Sequence, residues 1–153
     1  MDGRHSSTQN TAPAWRFAAA ALVLTLLPGA ASEAWAEGNP TRRAIRLDPL
    51  EMAADSGFSV TRYEIETGVY YKWTITSDGL EEYKLVAPEL FGESWIDQVV
   101  IADLEVKPAG LRAVEFDAEG SMDIWFIVLR PGEYNYGVEG LQTQGFSGVF
   151  AVR

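Results

Sequence analysis

Short segments of alternating apolar and polar residues follow one another from residue 57 to the C-terminus, and they limit the possible folds more than any other feature. Two clear examples are SVTRYEIET (59–67) and VYYKWTITS (69–77), both rich in β-branched and aromatic side chains. Turn-forming pairs such as Asp78-Gly79 and Glu119-Gly120 separate these segments. Because successive side chains of a strand point to opposite faces, each apolar face needs a second layer to cover it. The pattern predicts an all-β sandwich or barrel of seven to eight short strands.

One segment, PELFGESWID (88–97), lacks this alternation and predicts a single short helical turn. Its large apolar residues are Leu90, Phe91 and Trp95, and we expect all three to pack against the sheets. A turn of this kind would cover one edge or one end of the sandwich.

The N-terminal region has the organisation of a secretory signal peptide. Arg4 and Arg16 precede the apolar run FAAAALVLTLL (17–27), and the motif Ala34-Trp35-Ala36 places small residues where a signal peptidase cuts. The run is too short for a membrane span, which needs about 20 residues. We therefore expect export to the periplasm or the cell exterior, followed by cleavage.

The predicted organisation has three parts. Residues 1–36 form the cleaved signal peptide, 37–56 form an N-terminal arm or first strand, and 57–153 form one sandwich domain. No repeat or low-complexity tract divides the domain. After cleavage, we expect a soluble protein without a membrane span.

The charge balance limits the classes of partner. The formal net charge is -10, and removal of 1–36 leaves it unchanged because that segment carries two acidic and two basic residues. An acidic surface repels phosphate backbones, so a nucleic-acid partner is not expected. A solvated surface, docking to a basic partner and loose cation binding are all compatible with this charge.

The chain contains no cysteine, and its only histidine is His5, within the predicted signal peptide. The domain can therefore offer a metal only carboxylates, carbonyls and thioethers. The lack of cysteine also excludes disulfides, so the packing of apolar side chains has to stabilise the fold.

The C-terminal stretch PGEYNYGVEGLQTQGFSGVFAV (131–152) has a distinctive spacing of glycine and tyrosine. It resembles the C-terminal signature of the cupredoxins, Gly-x-Tyr-x3-Cys-x2-His-x4-Met-x-Gly, with Gly132, Tyr134 and Gly148 in register without a gap. An apolar last strand, 149–152, follows as it does in that family. The resemblance implies an all-β, cupredoxin-like Greek-key β-sandwich of seven to eight strands. An unrelated β-hairpin with a glycine-rich connection is the alternative.

The positions of the copper ligands are occupied by other residues. The resemblance places Val138 at the cysteine, Leu141 at the histidine and Phe146 at the methionine, and it places Glu82 near the family's other histidine. A type 1 copper centre needs one thiolate and two imidazoles. We therefore expect no cofactor, and an apolar plug where related proteins bind copper.

Carboxylates supply the other candidate chemistry. The acidic turn DAEGSMD (117–123) brings Asp117, Glu119 and Asp123 close in sequence, and together with Glu82 they are tentative ligands for a hard cation. Ser147 has no histidine to act as its base, so we do not expect an enzyme.

The prediction for function is an exported accessory protein that docks another exported or membrane-attached protein. An apolar patch around Leu141 and Phe146 is the predicted docking surface. The alternative is a metal-handling protein that uses the carboxylate ligands.

Overall fold

The computed structural model describes Gly3 and residues 38–153, and the predicted signal peptide otherwise lies outside this range. The described residues 38–153 belong to one compact unit. Its helical elements are α1 (Pro88–Gly92) and a 3-10 helix (Gln142–Gln144). Twelve short strands make up the remainder of the regular structure: β1 Ile45–Arg46, β2 Leu50–Ala53, β3 Gly57–Phe58, β4 Arg62–Ile65, β5 Tyr70–Ser77, β6 Tyr83–Val86, β7 Ser94–Ile101, β8 Leu104–Val106, β9 Ala113–Phe116, β10 Gly120–Val128, β11 Gly132–Val138 and β12 Ser147–Val152.

The strands form two mixed sheets. The larger sheet has the order β3-β2-β5-β10-β7-β8, with β1 also paired to β5, and the smaller sheet has the order β4-β12-β11-β6-β9. The strand β5 pairs in parallel with β1 and β2, β12 pairs in parallel with β4, and the other pairs are antiparallel. The predicted all-β sandwich is confirmed.

The strand β5 shows why the alternating segments fold as they do. Buried and half-exposed residues alternate along all of Tyr70–Ser77. Tyr71, Trp73 and Ile75 point into the core, while Lys72 lies on the outer face. One face of β5 is therefore an apolar surface against which the smaller sheet packs.

The number of strands exceeds the predicted seven to eight. One reason is that 98–106 reads as a single strand, whereas the chain reverses at Ala102 and Asp103 to form the β7–β8 hairpin. Ala102 has a positive φ of 51°, which is uncommon for a residue with a side chain. The sequence has no glycine or asparagine to mark this turn, so the alternation appears continuous.

The predicted helical turn is confirmed by α1, which begins at Pro88 and ends at Gly92. Proline is favoured in the first helical turn because its fixed φ suits a helix and its missing N–H has no intrahelical partner there. Leu90 and Phe91 are buried as expected, but Trp95 is 42% exposed. The prediction for Trp95 is wrong because this residue already belongs to β7, which begins at Ser94, and is not among the residues that face the core.

Aromatic side chains fill the space between the sheets. Trp73 is fully buried, with its ring edge-on to Phe150 at a centroid distance of 5.1 Å. Its indole N–H donates a hydrogen bond to the Tyr63 hydroxyl (3.1 Å), and that hydroxyl donates to the Asp48 carbonyl (2.9 Å). Burial raises the pKa of Tyr63 to about 12. Within 38–153, no buried side-chain nitrogen or oxygen lacks a hydrogen-bond partner.

Within the same range, no helix is both long and apolar enough to cross a membrane.

Gly148 is required for close packing between β11 and β12. It lies opposite Tyr136 across the strand pair, and a Cβ atom at position 148 would lie 2.3 Å from the Tyr136 ring. Replacement with alanine should lower the free energy of unfolding by about 1–3 kcal/mol, as overpacking does in other cores. Denaturant unfolding of Gly148→Ala measures this cost.

Gly110→Ala is the matched control, because a Cβ at position 110 would meet nothing within 4 Å. We expect this variant to change stability by less than about 0.5 kcal/mol. Equal effects of the two substitutions would contradict the assigned packing of Tyr136 on Gly148.

Candidate functional site

Four loops meet at one end of the sandwich, which we call the loop end: 53–57, 78–82, 117–120 and 139–146. The Ala54 N–H donates to the Asp78 carboxylate (2.8 Å), which joins the first loop to the second. A Cβ at Gly79 would lie 2.1 Å from the Glu119 nitrogen, so the second and third loops are in direct contact. The Phe58 N–H donates to the Gly145 carbonyl (3.1 Å), which attaches the fourth loop to the start of β3.

The three residues that the sequence resemblance aligned with copper ligands lie together in the fourth loop and at the strand ends beside it. The Val138 N–H donates to the Phe146 carbonyl (3.0 Å), and the Leu141 N–H donates to the Val138 carbonyl (3.1 Å). Val138 is 1% exposed and Phe146 is 2% exposed, whereas Leu141 is half-buried and packs against the core. These backbone hydrogen bonds hold the loop in a compact form.

The Phe146 ring fills the interior of the loop end. It lies edge-on to Phe58, with 5.5 Å between ring centroids, and tilted against Tyr83 at 5.3 Å. Val138, Leu141 and Phe146 carry hydrocarbon side chains without a lone pair, so they do not fit the thiolate and two imidazoles that a type 1 copper ion requires. This part of the fold is an extension of the apolar core.

Two predictions about this region are wrong. Phe146 contributes no exposed surface, because it points between the sheets and not toward solvent. Glu82 is exposed, and its neighbour Tyr83 is the residue that packs against Phe146. The cause in the second case is strand alternation: a shift of one residue moves a side chain from the core to the surface.

Glu82 instead belongs to a surface cluster with Glu115 and Asp117. One carboxylate oxygen of each lies within 4.8 Å of the others, and all three residues are exposed. The strands β6 and β9 bring them together, since Lys84 on β6 pairs with Glu115 on β9. A hydrogen bond to Glu82 raises the pKa of the Glu115 carboxyl above its usual value, with smaller contributions from desolvation and the neighbouring charges.

The other tentative ligands do not join this cluster. Asp123 lies on the outer face of β10, where it pairs with Lys72 (2.7 Å) and accepts a hydrogen bond from Thr74 (2.6 Å). Glu119 lies in the turn that contacts Gly79 and is not among the grouped carboxylates of the described chain. Closeness in sequence failed as a guide because β10 carries Asp123 away from the turn.

Sequence reasoning missed Asp78, which joins three parts of the loop end. Its Oδ1 accepts hydrogen bonds from the Leu80 N–H (3.0 Å) and the Tyr83 hydroxyl (2.9 Å), and its Oδ2 accepts from the Ala54 N–H. The backbone N–H groups of Leu80 and Ala54 hold the pKa of the Asp78 carboxyl below its usual value. The Asp78-Gly79 pair signals a turn, but nothing local signals the bond to Ala54.

The loop end also carries an exposed apolar side chain that the sequence did not single out. Leu80 is 74% exposed, beside Glu81 and Glu82. The four loops contain seven acidic residues and no basic one: Asp55, Asp78, Glu81, Glu82, Asp117, Glu119 and Glu139. The surface of the loop end is therefore strongly acidic with an apolar side chain within it.

Comparisons with known proteins identify the architecture. No family model and no curated protein matches the sequence. A solved structure of the multicopper oxidase from Campylobacter jejuni, a metallo-oxidase, matches with a TM-score of 0.52 and 10% identity over 74% of this chain and 31% of that chain. The fold is cupredoxin-like.

Reduced auracyanin from the photosynthetic bacterium Roseiflexus castenholzii also matches, with a TM-score of 0.47 and 15% identity over 69% of this chain and 94% of that chain. The chain spans about a third of the length of the oxidase. In this cupredoxin-like sandwich, the segment from Gly132 to Gly148 forms β11, the fourth loop and the start of β12. The predicted resemblance of fold is confirmed.

The Asp78 carboxylate should stabilise the fold only when it is charged. We expect Asp78→Asn to lower the midpoint of thermal unfolding at pH 7, because an amide cannot accept all three hydrogen bonds. Since the folded-state pKa is lowered, the difference from wild type should be full above about pH 4, the ordinary range of aspartate. It should disappear as the pH falls through the folded-state pKa. Thermal unfolding from pH 2 to pH 8 measures it.

Glu115→Gln is the matched control, because the pKa of Glu115 is shifted in the direction opposite to that of Asp78. Because the pKa of Glu115 is raised, its contribution is most favourable at low pH and is lost as the pH rises through the folded-state value. This variant should not lower the midpoint at pH 7. A pH-independent effect of Asp78→Asn would contradict the role of its charge.

Proposed function

We propose that this protein is an exported, non-enzymatic accessory protein that keeps a cupredoxin-like sandwich without a type 1 copper centre and docks another exported or membrane-attached protein. The observation that carries the proposal is the burial of Val138 and Phe146 at the positions where the resembling family binds copper. The signal-peptide pattern of 1–36 supports export.

Apolar packing supplies stability that a bound metal could otherwise provide. Full burial of a side chain such as Phe146 contributes about 1.5–3 kcal/mol relative to exposure. Phe146 also contacts Phe58 and Tyr83, which belong to two different sheets. The loop end is thus held between the layers by its own side chains, so a metal ion is not needed to order it.

The surface chemistry of the loop end favours a basic protein partner. Seven acidic residues and no basic residue lie in its four loops, and Leu80 places an apolar side chain among them. Nearby, Lys84 is already paired with Glu139 (2.5 Å). A basic partner with an apolar side chain at its centre would match both properties, and opposite charge would speed its association.

Metal binding tests the first part of the proposal. The metal-stripped protein should unfold at the same midpoint with and without copper(II), copper(I), calcium or zinc, because an ion that does not bind the native state cannot stabilise it. Thermal unfolding together with elemental analysis of the purified protein measures this. A stoichiometric ion with a clear upward shift would overturn the metal-free proposal.

The cluster of Glu82, Glu115 and Asp117 favours a second candidate function, the handling of a hard cation. If calcium or another ion raises the midpoint, Glu82→Gln and Asp117→Asn should abolish the shift. Glu133→Gln is the matched control, since Glu133 is an exposed carboxylate on β11 outside the cluster. A shift that survives the first two substitutions would exclude this cluster as the site.

Docking can be tested independently of metals. A photo-reactive amino acid at position 80 should cross-link one discrete basic partner when the protein is exported in its native host. The matched control is position 45, because Ile45 is 54% exposed but lies on β1, beside Tyr71 and far along β5 from Ser77. The absence of an adduct at position 80, or the same adduct at both positions, would contradict docking through the loop end.

A further inference from the structure

The β7–β8 hairpin ends the larger sheet and leaves one edge open. Among the described strands, β8 pairs with β7 on one side and with none on the other. Such an edge presents backbone N–H and C=O groups that another strand can join. The hairpin is therefore a place where a further strand could extend the sheet.

The same hairpin exposes an apolar surface, which we call the hairpin face: Ile101, Leu104 and Val106. Their exposed fractions are 43%, 62% and 39%. Ile101 lies opposite Leu104, and Val106 lies opposite the buried Val99, so all three side chains point to the core side of the sheet. The hairpin thus extends beyond the part of the sheet that the core covers.

The outward backbone groups of β8 belong to charged residues. A two-residue turn joins Ile101 to Leu104, and the pair that closes such a hairpin exchanges hydrogen bonds between its own two strands. In an antiparallel ladder, neighbouring residues of one strand direct their N–H and C=O groups to opposite sides. The residue after Leu104 therefore directs these groups away from β7. Glu105 therefore presents its backbone at the open edge, and Asp103 and Lys107 continue the same alternation.

Charge identifies a partner that fits this edge. We propose that a second copy of the chain adds its own β8 in antiparallel orientation, with the twofold axis at Val106, and forms a dimer with a continuous sheet. In this register, Glu105 of each copy lies opposite Lys107 of the other copy, which gives two Glu105–Lys107 pairs. Val106 of one copy lies opposite Val106 of the second copy. The hairpin faces of the two copies then lie side by side.

Other twofold registers bring like charges together. An axis at Leu104 pairs Asp103 with Glu105. An axis at Glu105 pairs Asp103 with Lys107, but it places the two Glu105 carboxylates opposite each other, and Asp103 lies in the turn outside β8. An axis at Lys107 pairs two ammonium groups. Opposite charges across a strand pair stabilise it and like charges destabilise it. Among these registers, only the one at Val106 pairs opposite charges without also pairing like charges.

Contacts within one chain hold Glu105 and Lys107 near the positions that the proposed pairs between the two copies require. Lys107 already lies 2.8 Å from Glu105 and 3.4 Å from Asp97, and the side chains of Glu105 and Lys107 are both more than half exposed. Pro108 has no N–H, but it shares the alternation of Val106 and would not donate to the new ladder. The net charge of -10 on each chain opposes association, and the local Glu105–Lys107 pairs act against this repulsion.

Sedimentation equilibrium of the purified protein over a wide concentration range tests the dimer. Wild type should show a monomer–dimer equilibrium. The variants Glu105→Lys and Lys107→Glu should each weaken dimerisation by about tenfold or more, because two attractive pairs become repulsive. An equimolar mixture of the two variants should restore association, and so should the double variant with both charges exchanged.

Glu133→Lys and Lys84→Glu are the matched controls, since they change the net charge by the same amounts at exposed residues away from β8. Both should retain the dimer, and thermal unfolding should show that every variant is folded. A wild-type chain that remains monomeric at all concentrations would overturn the proposal. The open edge of β8 would then be available for a different protein to bind. Failure of the mixed variants to associate would overturn the register. Because β8 lies outside the four loops, neither result bears on docking at the loop end.

Discussion

The packing of aromatic rings between the two sheets is the interaction on which this structure depends. The chain has no cysteine, so no disulfide can join the layers. Trp73 is fully buried on the larger sheet and contacts Phe150 on the smaller one, while its N–H is satisfied by Tyr63. Large apolar area and complete hydrogen bonding thus occur in the same contact, which lets polar rings enter the core without the cost of an unpaired group.

This aromatic packing continues without a break into the loop end. Tyr136 contacts Trp73 in the centre and stacks on Phe58, which in turn meets Phe146. Tyr83 closes the series against Phe146, and its hydroxyl donates to Asp78 at the surface. Core packing therefore positions the loops directly. The region that the sequence resemblance aligned with a copper site is the last part of the core.

The charged side chains of the loop end and of the neighbouring strands lie on the outside of the sandwich. The carboxylates of the loop end are exposed, and the cluster around Glu115 lies on the outer side of β6 and β9. The open edge at β8 is a different kind of surface, in which backbone groups and the apolar hairpin face lie together. One surface is built from loops and the other from the side of a sheet, and they share no residue, so each can be altered by its own substitutions.

The all-β class, the helical turn at Pro88 and the absence of thiolate and imidazole ligands from the domain can all be read from the amino-acid sequence. These follow from local alternation, from one proline and from residue types alone. Three features instead come from the folded arrangement: Tyr83 and not Glu82 faces Phe146, Glu115 joins Glu82, and the chain reverses at Ala102. Each of these depends on register between strands or on a turn without glycine. A shift of one residue exchanges core and surface, and the energies that select the register come from side chains far apart in the sequence.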